Sequence, residues 1–70
     1  MISLKINGNP AQFGDDELPP NLEKLLRHLG VDSATVVAEI DGKIVERANF
    51  AKTQLREGQS IELVRFVPGG

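Results

Sequence analysis

Ile61-Glu62-Leu63-Val64-Arg65-Phe66-Val67-Pro68-Gly69-Gly70 is the stretch that most constrains the fold of this chain. It opens as a β-branched, largely apolar run of the kind that builds a strand. Pro68 ends that run, because proline has no N–H to give to a ladder. Gly69-Gly70 then carries the chain to a terminal carboxylate with no side chain on the way. Domains ordinarily finish in frayed, featureless segments, whereas here a strong strand passes directly into a bare thread. Glycine supplies about 7% of residues in average proteins, so a chance diglycine end arises in roughly 0.5% of chains. Two readings follow: an incidental flexible end, or a rigid body that presents its terminal carboxyl group. In the second, residues 67–70 are expected to form a flexible tail.

The strand at Ile61 has a counterpart at the start of the chain. Ile2, Leu4 and Ile6 alternate with Ser3, Lys5 and Asn7, a period-two pattern with one face buried and one wet. Asn7-Gly8 follows, a strong hairpin signal, and predicts an antiparallel return strand around Ala11–Phe13 with Phe13 inward. Gly14-Asp15-Asp16-Glu17-Leu18-Pro19-Pro20 reads as a solvated loop.

Asn21 is suited to capping a helix, and Leu22, Leu25, Leu26 and Leu29 recur at i, i+3, i+4 and i+7 as one apolar stripe. Glu23 and Arg27 lie four apart on the outer face. Gly30 stands where a left-handed residue would end the helix. Thr35–Ile40 predicts another strand, Asp41-Gly42 a tight turn, and Lys43-Ile44-Val45 the strand that returns from it. Glu46–Leu55 carries a weaker helical pattern anchored by Phe50 and Leu55, with Asn49 as a candidate cap. Glu57-Gly58-Gln59 is a turn, and Ser60 opens the last strand.

The order strand, strand, helix, strand, strand, short helix, strand predicts an α+β layer structure, with one main helix covering a mixed sheet of four to five strands. One simple arrangement sets the last strand beside the first and parallel to it, at the sheet's centre. Seventy residues without repeats read as a single domain, 1–70, near the lower size limit for folding without staples. The absence of cysteine leaves no disulfide framework or zinc-finger pattern, so apolar burial must hold the chain together.

Composition also narrows the partners. Ten acidic and eight basic residues give a formal charge of −2, which argues against a phosphate-neutralising nucleic-acid surface. The apolar runs are far shorter than a membrane span, and no signal-peptide pattern precedes the first strand. A cytoplasmic protein is the expectation, with neither nucleic acid nor membrane as a partner.

Side-chain catalysis is poorly supplied. His28 is predicted on the outer face of its helix, where it complements the helix dipole. Ser3, Ser33 and Ser60 have no histidine near them in sequence. Asp15, Asp16 and Glu17 lack the ligand spacing of a calcium loop, so no metal site is expected. Gly8 and Gly14 belong to no phosphate-binding fingerprint. The chain is therefore not expected to be an enzyme by itself.

What remains is the Gly70 carboxylate, ionised at neutral pH. A carboxylate attacks the α-phosphate of ATP when another protein positions both. Gly69 and Gly70, lacking Cβ, let the thread enter a narrow channel, and Pro68 stiffens its base. If Ile61 and Leu63 face the helix, Val64 and Phe66 face the other side of the sheet. No second helix is evident to cover that side, and the two side chains are candidate partner-docking residues. The alternative is that the segment around Asn49–Leu55 or strand twist covers them.

These residues resemble ThiS, the sulfur-carrier family of thiamine biosynthesis within the ubiquitin-like β-grasp group. The resemblance runs through Ile6-Asn7-Gly8, the helix Asn21–Leu29, the block Val37–Arg47, Gly58-Gln59 and Gly69-Gly70. Asp41 and Glu46 stand where the family usually has Asn and Pro, while Arg47 matches. Val67-Pro68 precedes the glycines, where a small residue is more usual; MoaD, the small subunit of molybdopterin synthase, often has proline there but is usually longer.

The resemblance implies a β-grasp fold and a cycle centred on Gly70. A ThiF-like adenylyltransferase uses ATP to adenylate its carboxylate. A cysteine desulfurase or another sulfur donor converts it to a thiocarboxylate, which a ThiG-like thiazole synthase consumes. The carrier itself binds no cofactor. A MoaD-like carrier, a ubiquitin-like modifier and a plain binding module with incidental glycines are the alternatives.

Overall fold

The computed structural model describes residues 1–67. Its elements are β1 (Ile2–Ile6), β2 (Asn9–Phe13), α1 (Leu22–His28), β3 (Val36–Ile40), β4 (Lys43–Val45) and β5 (Ser60–Arg65). Two 3₁₀ segments, Ser33–Thr35 and Arg47–Lys52, complete them. The strands form one five-stranded sheet in the order β2-β1-β5-β3-β4. β5 lies at its centre, parallel to β1 and antiparallel to β3.

The hairpin β1–β2 turns at Asn7 and Gly8, whose φ angles of 52° and 80° are both left-handed, as a two-residue primed turn requires. β2 begins two residues earlier than the alternation predicts and includes Pro10. The register explains how proline fits. Ile6 pairs with Asn9, so Pro10, opposite Lys5, occupies the following non-hydrogen-bonded position of an edge strand, where no N–H is needed.

Helix α1 is only seven residues long, too short to persist alone. Packing holds it: Leu22, Leu25 and Leu26 are buried with Leu4, Val36, Ala38, Phe50, Leu55 and Ile61 in one core. The Asn21 side chain accepts from the Lys24 N–H at 2.9 Å, closing its first turn. At the other end, the Gly30 and Val31 N–H groups donate to the Arg27 and Leu26 carbonyls, with Gly30 at φ 72°. The predicted stripe loses its last member there. Leu29 is the C-cap and is 41% exposed, because the chain turns away before a further helical turn could seat it.

The segment Arg47–Lys52 drives Phe50 into the core, and the Leu22 N–H donates to the Thr53 carbonyl at 2.9 Å. Asn49 lies inside this segment and does not cap it; Glu46 holds the cap position without a side-chain bond. Residues Ser33–Thr35 form a 3₁₀ turn in place of the first residue of the expected strand Thr35–Ile40, and β3 accordingly begins at Val36. No helix among the described residues is long and apolar enough to cross a membrane.

Candidate functional site

The candidate site is the end of β5 and the sheet face beside it. Alternation along β5 buries Ile61 and half-buries Leu63 on the helix side, and turns Glu62, Val64 and Phe66 to the other. On β3, Val36 and Ala38 are buried while Val37 and Glu39 face away. The register sets Val37 directly opposite Val64 and Glu39 directly opposite Glu62. On the outer side of Glu39 stands Ile44 of β4. Val64 is 57% exposed, Ile44 69% and Phe66 46%. Val37, Ile44, Val64 and Phe66 therefore share an open face of the sheet, with two carboxylates set among them.

The segment Arg47–Lys52 does not cover this face, because Phe50 commits it to the core on the opposite side. Where β4 ends, an apolar groove of about 350 Å³ opens at the same corner, lined in part by Val37, Ile44, Val45, Phe50 and Phe66. It continues the exposed face around the edge of the sheet to Phe66. The Phe66 N–H still donates to the Thr35 carbonyl at 2.9 Å, so the ladder tethers the chain up to Phe66. Val67 is then 82% exposed. Pro68, Gly69 and Gly70 lie outside the described residues.

Val64 and Phe66 thus lie on the exposed face, close to the last described residue, Val67. Val37 and Ile44 are further members of that face that sequence reasoning missed. Alternation gives the facing of β3 and β4 separately, but their apposition to Val64 depends on a register that only the fold supplies.

The other polar groups are structural. Asn7 Oδ1 accepts from the Leu63 N–H at 2.7 Å, where β1 has run out beside β5. Asp41 Oδ1 accepts from the Ser60 N–H at 3.0 Å on the other flank of β5, where β3 has ended. His28 meets the Phe13 ring edge-on, with centroids 5.7 Å apart, and no hydrogen bond among the described residues joins it to a serine. No group of three or more metal-ligating side chains occurs among the described residues.

Comparison with known proteins bears on this arrangement. A crystal structure of a thiamine biosynthesis protein, ThiS, from Geobacter metallireducens superposes with a TM-score of 0.82. The two are 30% identical, and the match covers 99% of this chain and 100% of that one. A solution structure of a thiamine biosynthesis protein from the same organism gives a TM-score of 0.76 at 32% identity, over 99% and 88% of the two chains. A thiazole synthase of Paramagnetospirillum magneticum is 35% identical over 69 residues, 99% of this chain. This chain spans only 20% of that relative's length. The order of strands, the parallel β1–β5 pair and the single main helix are those of the ubiquitin-like β-grasp. The family match runs from residue 4 to residue 70, and on that evidence the chain belongs to the ThiS family.

Proposed function

We propose that this protein is a sulfur carrier for thiazole formation in thiamine biosynthesis, with the Gly70 carboxylate as the group that carries sulfur. The observation that carries the reading is the extent of the family match, which runs to residue 70 and so includes the terminal diglycine. The thiazole synthase of P. magneticum supports the identity of the sulfur acceptor, because it contains a segment akin to this chain within a protein of that name.

In the proposed cycle the Gly70 carboxylate attacks the α-phosphate of ATP on a ThiF-like adenylyltransferase, and pyrophosphate leaves. A nucleophilic sulfur, supplied by a cysteine desulfurase or another donor, attacks the acyl carbon and expels AMP. When that donor is a persulfide, a second thiol cleaves the acyl disulfide and releases the thiocarboxylate. A ThiG-like thiazole synthase then takes the sulfur. The carrier's own residues supply recognition and reach. The ladder holds the chain to Phe66, and Gly69 and Gly70 carry no side chains to bar the terminus from a narrow channel. Val64 and Phe66 dock the body against the activating enzyme.

Mass spectrometry of the protein isolated from its own host tests this reading. A sulfur carrier shows a population with one terminal oxygen exchanged for sulfur. Conjugates of higher mass in place of that population would instead make the protein a modifier of other proteins.

A further inference from the structure

The open sheet face holds a charge arrangement that apolar docking leaves unexplained. Glu39 and Glu62 stand directly opposite one another on β3 and β5, and like charges in that relation repel. No ion pair among the described residues involves either; those present join Met1 to Asp15 and Arg27 to Glu23. Lys5, on the same face, lies opposite Ser60, one row from Glu62, and makes no ion pair among the described residues. Glu39 is flanked across the sheet by Ile44 and Glu62, and its neighbour on that face along β3 is Val37. A partner that buries Val37, Ile44 and Val64 must therefore cover Glu39 as well. Removing Glu39 from water beside the Glu62 carboxylate is costly unless a cation meets the pair.

We infer that the activating enzyme meets this face with a basic side chain, an arginine or a lysine, placed between Glu39 and Glu62 and surrounded by apolar surface that covers Val37, Ile44, Val64 and Phe66. The pair then acts as a specificity contact. Repulsion in the free chain is relieved on binding, and an acidic or purely apolar surface is rejected. This inference rests on the reading of the face as the docking surface.

The test titrates the full chain against the purified adenylyltransferase of the same organism in three forms: unaltered, with Glu39→Gln and Glu62→Gln together, and with Val64→Asp. The double glutamine chain is expected to melt no lower than the unaltered one, because repulsion is removed. It should bind at least about tenfold more weakly, with a shallower dependence on salt. Val64→Asp should abolish binding with the fold retained by circular dichroism. If Val64→Asp breaks binding while the glutamine pair binds as tightly as before, with the same salt dependence, the basic contact is overturned and the docking face stands. If Val64→Asp binds normally, the docking reading fails and takes this inference with it.

Discussion

Asn7 does two things at one position. It adopts φ 52° in the β1–β2 turn, and its side chain supplies the acceptor that β5 needs once β1 has ended. Asn7→Gly keeps the turn and removes the acceptor, so it should cost about 1 kcal/mol in urea denaturation. Asn7→Ala should cost roughly 1–2 kcal/mol more, because alanine pays for the left-handed conformation. Equal costs for the two would show that backbone strain contributes nothing there. At this scale the sequence was informative wherever partner and residue are close in the chain. The Asn7-Gly8 turn, the Asn21 cap and the Gly30 terminus are all written in short motifs. The bond from Leu63 to Asn7 spans 56 positions and leaves no local trace.

Among the elements, α1 shows how much of a short helix is tertiary. Leu26 is 1% exposed at the centre of the core, and Leu26→Ala should cost about 2–5 kcal/mol, a large part of the stability of so small a chain. Thermal or chemical melting checks this, and a loss well under 1 kcal/mol would mean the site collapses to fill its cavity. On β5 the opposite holds. Phe66 is 46% exposed, so Phe66→Asp should weaken association with the adenylyltransferase far more than it lowers the melting temperature. A collapsed circular-dichroism spectrum for that variant would place Phe66 in the core. The strands and α1 were legible because each repeats its own period over several residues. Leu29 misled because periodicity does not record where a helix stops, and Gly30 stops it one residue later. The 3₁₀ segments were indistinct because three to six residues hold too little of any period. The full apolar face was hidden for a related reason: Val37 and Ile44 join Val64 only through the pairing of β3 with β4 and β5.

At the scale of the whole molecule, the apolar core is gathered away from the C-terminal end of β5. Among the described residues nine buried apolar side chains form that core, and none of them lies beyond Ile61. The parallel β1–β5 pairing that fixes the topology is non-local, and element order alone admitted it without requiring it. Resemblance to the ThiS family supplied what periodicity could not. Deleting Gly70 removes one residue of reach, at most about 3.5 Å, and none of the buried residues of this core. The melting temperature should therefore stay unchanged while sulfur transfer is lost. The most direct measurement is the intact mass of the chain after incubation with ATP, the adenylyltransferase and a sulfur donor. The full chain is predicted to exchange one oxygen for sulfur, and the chain lacking Gly70 to remain as it was. An unchanged mass for the full chain, or equal sulfur gain without Gly70, would contradict the assignment of its terminal carboxylate as the sulfur-carrying group.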